Sequence, residues 1–195
     1  DDNPKALFEY VINKRKDIKA IWLTSNPSVY TKLKSQNMPV AMSSSIKALW
    51  YALKAKYSVV CTSDRDIGDS IFYLTGYQVT INLWHGVPLK KIVYDDEYNY
   101  SREPKKGFDG WFEKKVSYFK RKTYYYSTSE VFKKIYQSCF NVDESHVVNI
   151  GQVRNDYFFI DHDNPFREKY SEYKKIILYM PTHRKEGKES MDMTR

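Results

Sequence analysis

The run Ile81-Asn82-Leu83-Trp84-His85-Gly86-Val87-Pro88-Leu89-Lys90-Lys91 gathers the residue types that phosphoryl transfer to an alcohol requires. An imidazole titrates near neutrality, so His85 can accept a hydroxyl proton as that oxygen attacks phosphorus. Gly86 removes a side chain where a ligand or another backbone must come close. Pro88 suits the first turn of a helix, whose free N–H groups favour phosphate, and Lys90 and Lys91 add positive charge. A lone histidine at the end of a strand also serves simply as a hydrogen-bonding cap.

A second group follows at Gly151-Gln152-Val153-Arg154-Asn155-Asp156, where the Arg154 guanidinium can grip phosphate through two parallel bonds. Arg154 and Asp156 can equally do no more than tie their own loop. Arg184, after Pro181 and Thr182, reaches a cleft or stands in solvent, and His183 beside it lines the same cleft or packs. In Cys61-Thr62-Ser63-Asp64-Arg65-Asp66, either Asp64 or Asp66 can orient a hydroxyl, with helix capping by Ser63 or Asp64 as the plainer account. His146 and His162 have no ligand-like spacing to other donors, so no metal site is expected. Cys61 and Cys139 read as reduced packing residues.

These residues need a scaffold that ends strands at one edge. Helix-length amphipathic segments alternate with short β-branched runs, which is the pattern of an α/β fold with a Rossmann-like parallel sheet. Expected helices cover 4–15 with Leu7, Tyr10 and Val11 on one face, a segment opened by Pro27 with Val29 and Leu33 inward, and a segment from Ser45 with Ile46, Leu49, Trp50 and Leu53 in one stripe. A further short helix is expected over 66–74. Expected strands cover 20–23, 57–61, 79–84, 124–126 and 147–150. Ser127 and Glu130 have capping-box spacing for a helix over 131–139. In open α/β sheets ligands bind beyond the carboxyl ends of strands, and that is where His85 and Arg154 fall. The domain division expected is 1–160 as the first domain, 161–175 as a connector and 176–195 as the first strand and loop of a second domain.

Composition narrows the partners. The chain has 195 residues, enough for a well-packed domain plus a further piece, and its 42% hydrophobic content argues against disorder. A net charge of +8 favours an anionic partner. No apolar run approaches the roughly 20 residues that span a bilayer, and no segment has the pattern of an export signal, so anchoring by insertion is not expected. The aromatic face Phe108, Phe112, Val116 and Phe119, with Lys114, Lys115, Lys120, Arg121 and Lys122 around it, can lie on anionic lipid or form an ordinary solvated helix. No nucleic-acid motif is present, and nucleic acid is not an expected partner.

The sequence INLWHGVPLKKI resembles the Trp-His-Gly-x-Pro-Leu-Lys signature of the CDP-glycerol glycerophosphotransferase family, which makes wall teichoic acid and related capsule polymers. Leu7-Phe8-Glu9-Tyr10 with Ile21-Trp22 is similar to that family's opening helix and strand. Gly151-Gln152-Val153-Arg154-Asn155-Asp156 resembles its Gly-x-Pro-Arg-Asn-Asp loop, and Tyr179-Met180-Pro181-Thr182-His183-Arg184 its Tyr-Ala-Pro-Thr-Trp-Arg stretch. Val153 and His183 depart from the family's Pro and Trp.

The resemblance implies a two-lobed glycosyltransferase B-type fold with the acceptor-side lobe first. It also implies His85 as base, and Gly86, Lys90, Lys91, Arg154, Asn155, Asp156 and Arg184 are the residues expected to bind substrate. CDP-glycerol would be the donor, with no cofactor, and a lipid-linked polyol phosphate the acceptor. The enzyme would be bacterial and cytoplasmic, peripheral on an anionic membrane face. Because the family's second functional His and its Asp-x-Ser-Ser segment lie beyond Arg195, the 195 residues by themselves are expected to have little activity. A CDP-ribitol or nucleotide-sugar transferase for capsule polymer, and a non-catalytic module binding membrane or polymer, are the competing expectations.

Overall fold

The computed structural model describes residues 2–62, 66, 78–96, 122–160 and 165–179. The chain divides into two compact units, Asp1–Phe159 and Ile160–Arg195. Within the first, the described elements run α1 (Asn3–Lys14), β1 (Trp22–Thr24), α2 (Pro27–Ser35), β2 (Val40–Met42), α3 (Ile46–Lys54), β3 (Tyr57–Val60), β4 (Val79–Asn82), β5 (Lys122–Ser127), α4 (Glu130–Phe140) and β6 (Val147–Asn149), with a short 3-10 helix at Val153–Phe159. The second unit contributes α5 (Pro165–Lys169).

Every strand pairing among the described residues is parallel, as the alternation of helix and strand segments predicts. The strands form two sheets, β1-β2 and β3-β4-β5-β6, where the sequence suggests one. A cavity of about 890 Å3 has both β1 and β3 in its wall and is lined by Leu7, Phe8, Trp22, Trp50 and Val59 among others. The four-stranded sheet fixes the site. Because β3 to β6 lie side by side in chain order and all run the same way, their carboxyl ends share one edge.

Local signals account for most element starts. Asn26 caps α2 with its side-chain oxygen on Ser28 and Val29 N–H, and Pro27 follows it. Ser45 caps α3 by accepting from Ala48 N–H at 3.1 Å. α4 is capped by Ser129, which accepts from Phe132 N–H, and not by Ser127 as the capping-box spacing suggests. Ser127 is fully buried at the end of β5, and Glu130 instead accepts from Asn149.

Burial corrects two helical faces. In α3 the buried residues are Ala48 and Ala52, packed with Ala41 and flanked by Ile21, Leu23 and Tyr51, while Ile46 is 86% exposed and Trp50 and Leu53 about half exposed. Small side chains let the helix approach the β1-β2 sheet, which turns the larger apolar residues away from it. In α1 the buried side chains are Asn3, Ala6 and Phe8, and Tyr10 faces solvent.

Three further expectations change. No helix begins at Pro88; that stretch is irregular and leads to a 3-10 turn at Val93–Asp95, so phosphate binding at a helix start does not apply there. β4 stops at Asn82, two residues early, because the Asn82 side chain takes the Trp84 N–H. Residues 176–179 are exposed and form no strand, since no neighbouring strand among the described residues offers a ladder. The helix expected over 66–74 lies outside the described residues except for Asp66, as do Asp64, His162, His183, Arg184 and the basic 108–121 stretch.

The corrected α3 face is testable by urea denaturation of the folded chain. Ala48→Leu, which adds three carbons to a fully buried position, should cost about 1–3 kcal/mol, whereas Ile46→Ser should stay within about 0.5 kcal/mol. The reverse ranking would restore the apolar stripe as the buried face.

Candidate functional site

At the carboxyl end of β4 the chain turns sharply. Trp84 adopts a left-handed backbone with φ 50°, unusual for a bulky residue and costing on the order of 1–3 kcal/mol unless its surroundings hold it. They do. Trp84 N–H donates to Asn82 Oδ1 at 3.0 Å, and Trp84 C=O accepts from Asn3 Nδ2 at 2.9 Å and from the Cys61 thiol at 3.9 Å. The indole is buried against Tyr136, Cys139 and Val147 from α4 and β6, with Phe140 edge-on at 4.9 Å between ring centroids.

This buried anchor presents the next residue outward. His85 is exposed, its ring stacked on the Trp84 indole with centroids 4.5 Å apart. Gly86 follows, its carbonyl accepting from the Tyr136 hydroxyl at 3.1 Å. A side chain at Gly86 would lie 3.8 Å from Arg154 Nη2, which places the guanidinium beside the His85 turn. The sheet edge therefore brings together His85, Gly86 and Arg154 from regions far apart in sequence.

Arg154 arrives there because β6 ends at a true turn. Gly151 has φ 86°, a conformation glycine adopts without strain, and its N–H donates to Ser127 C=O at 2.9 Å. The chain then passes into the 3-10 helix Val153–Phe159, which is held to α1 and its cap at three points. Arg154 N–H donates to Asn3 Oδ1 at 3.1 Å, Arg154 Nη1 donates to the Asp2 carboxylate, and Tyr157 donates to Glu9 at 2.5 Å. Loop-tying and phosphate binding are thus compatible for Arg154, since a guanidinium carries five donors and Asp2 uses only part of them.

Other expected residues are placed less specifically. Lys90 and Lys91 are exposed on the segment after His85, whose Ile92 and Val93 pack against the Trp84 cluster. Asn155 and Asp156 are exposed on the 3-10 helix, and among the described residues no hydrogen bond joins their side chains to the His85 turn. Asp66 accepts from the N–H groups of Cys61 at 2.9 Å and Thr62 at 2.7 Å, fixing the end of β3. His146 stacks on Tyr124 with centroids 5.5 Å apart, away from any cluster of ligands. Among the described residues no group of three or more His, Cys, Asp and Glu side chains is placed to hold a metal ion.

Two residues at the edge escape a reading of the sequence. Asn3 precedes Pro4 and looks like an ordinary helix-start residue, yet it is fully buried with its amide turned toward the sheet. Gln152 is 8% exposed, and its Nε2 is a buried donor without a hydrogen-bond partner among the described residues. A buried unpaired donor costs about 1–3 kcal/mol and is a feature that calls for a ligand or ordered water. Only its position next to the Arg-bearing loop could have drawn attention to it.

Comparison with known proteins assigns the class. The fold is shared with the wall teichoic acid polymerase TagF, whose solved structure matches with a TM-score of 0.54 and 22% identity over 82% of this chain and 37% of that chain. The parallel α/β class expected from the sequence therefore holds. Residues 1–194 match the CDP-Glycerol:Poly(glycerophosphate) glycerophosphotransferase family, and the chain belongs to it. A teichoic acid poly(glycerol phosphate) polymerase from Bacillus spizizenii is 31% identical over 193 residues, covering 93% of this chain and 46% of the relative. A teichoic acid glycerol-phosphate transferase from Staphylococcus aureus is 26% identical over 201 residues, covering 94% and 47%. The chain spans about half the length of these curated relatives.

The anchor behind His85 makes a pH-dependent prediction. Burial, and then the charge of Asp95, push the Cys139 thiol up from 9.0 to about 12. The folded protein keeps this proton where the unfolded chain releases it, so the stabilisation is complete below about pH 9 and declines as pH rises toward 12. Between pH 9 and 11, urea unfolding should show the wild type losing roughly 1 kcal/mol per pH unit more than Cys139→Ala. Parallel pH dependences for the two proteins would show that the thiol is not buried in this way.

Proposed function

We propose that the whole protein is a glycerophosphotransferase that moves glycerol phosphate from CDP-glycerol to the terminal hydroxyl of a lipid-linked polyol phosphate chain. The observation that carries this is an exposed imidazole at the carboxyl edge of a parallel sheet, beside a guanidinium, in a chain belonging to this family. In the reaction His85 takes the acceptor hydroxyl proton as that oxygen bonds to the donor's glycerol-bearing phosphorus. The bond from that phosphorus to CMP breaks, and CMP leaves with the electron pair. Arg154, with Lys90 and Lys91, offsets negative charge on the phosphates. Asn155, Asp156 and Arg184 belong to the same substrate-binding set. Gly86 leaves the approach open.

In this reading the first 160 residues form the acceptor-side lobe, 161–175 a connector, and 176–195 the opening of a nucleotide-binding lobe. Among the described residues no helix is long and apolar enough to cross a membrane. Attraction of the basic face from Lys114 to Lys122 to anionic lipid on the inner face of the membrane would keep the enzyme beside its acceptor.

The test uses the full-length protein with CDP-glycerol, CDP-ribitol and nucleotide sugars as donors and a lipid-linked acceptor. CDP-glycerol should support CMP release, and His85→Ala should retain its circular dichroism spectrum while turnover falls about 10²- to 10⁴-fold. Wild-type turnover in His85→Ala would remove the base assignment. Preference for another donor would move the enzyme to a sister chemistry. Liposome co-sedimentation with no turnover of any donor would make the protein a binding module.

A further inference from the structure

We propose that Asn3 is a positioning residue for His85 and Arg154, acting through one buried amide that fixes the two loops carrying them. The proposal rests on the reading of those residues as the reactive pair. The three hydrogen bonds of the Asn3 side chain among the described residues all lead away from its own helix. Its Nδ2 donates to Trp84 C=O at 2.9 Å and to Leu83 C=O at 3.4 Å, and its Oδ1 accepts from Arg154 N–H at 3.1 Å. The cap of α1 is supplied separately, since Asp2 Oδ1 accepts from Asn3 N–H at 2.8 Å. Asn3 is therefore not needed as a cap, and a helix start does not ordinarily bury its first side chain completely.

The contacts fall where position matters most. Trp84 immediately precedes His85 and holds a left-handed backbone, so releasing its carbonyl frees the turn to relax and to redirect the imidazole. The Arg154 amide immediately precedes the side chain that lies beside Gly86. One planar amide spans the two, donating to one loop and accepting from the other, so its own geometry sets their separation. Asn82 performs part of the same task from the sheet, with Oδ1 on Trp84 N–H and Nδ2 on Thr62 C=O at 3.3 Å. Asn3 joins the His85 turn to the Arg154 loop.

The experiment is carried out on the full-length protein with Asn3→Ala, Asn3→Asp and Asn3→Ser. The aspartate keeps the acceptor for Arg154 N–H and loses both donations, and the serine is a smaller residue that favours helix starts. Three quantities are read: the melting curve, kcat and KM for CDP-glycerol, and the His85 and His146 ring proton resonances, assigned with His85→Gln. A displacement of about 1 Å at a reacting group can cost on the order of 10²-fold. Folded variants should therefore lose on the order of 10²-fold in kcat with KM changed only a few-fold, and the His85 resonances should move while those of His146 stay. The proposal is overturned if a folded variant keeps wild-type kcat or unmoved His85 resonances. It is also overturned if activity falls only in step with the folded fraction, or if none of the three variants folds, because the amide is then a requirement of the fold alone. The resonance shift does not depend on what His85 does, so wild-type turnover in His85→Ala removes the base assignment and leaves the positional result readable.

Discussion

A parallel sheet exhausts its backbone partners at its carboxyl edge, and the structure is organised around what replaces them. Where β3, β4 and β6 end, N–H and C=O groups leave the ladder together on one side. Buried groups of this kind must find partners, because an unmet one costs as much as a lost hydrogen bond. Here side chains supply them, Asn82 for Trp84 and Asn3 for Leu83 and Trp84, while Asp66 takes the more exposed N–H groups of Cys61 and Thr62. The set of polar residues that closes the sheet also determines where His85 and Arg154 stand.

That arrangement separates rigidity from reactivity. The apolar weight sits behind the edge, in Trp84, Tyr136, Cys139 and Val147, and the stiff indole is held by packing while hydrogen bonds hold the Trp84 backbone. The imidazole needs only to follow it. Its stacking on the indole restricts the ring while leaving its edge to solvent. A mobile loop could present the same residue types, but the left-handed turn at Trp84 is affordable only in a neighbourhood that over-determines it.

Legibility in the sequence followed the range of the interactions concerned. Parallel strands, helix starts at Pro27 and Ser45, and the placement of His85 and Arg154 at strand ends all arise from local pattern, and all can be read from neighbouring residues. The inward face of α3 could not, because Ala48 and Ala52 are buried by how closely the helix approaches β2, and apolar periodicity favours the larger Ile46, Trp50 and Leu53. Asn3 was illegible for a related reason. Its partners are 81 and 151 residues away, and nothing in Asp2-Asn3-Pro4 distinguishes an amide that caps a helix from one that joins two distant loops. The helix expected at Pro88 failed because a proline permits a first turn without supplying the amphipathic run that would continue it.

The electrostatics at this edge involve a competition that a motif alone does not display. Arg154 is already paired with Asp2, so a phosphate reaching it must share the guanidinium with a carboxylate. The pairing weakens net attraction for an anion and at the same time fixes the side chain, which otherwise would lose rotamer freedom on binding. Because Nη1 faces Asp2 and Nη2 lies beside Gly86, one planar group can hold its internal partner and still offer donors toward the His85 turn. A pre-oriented cation of this kind gives up some ground-state affinity in return for a fixed geometry. In the proposed reaction, where Arg154 meets charge developing on phosphorus, that geometry would contribute more to rate than tighter binding of the resting phosphate.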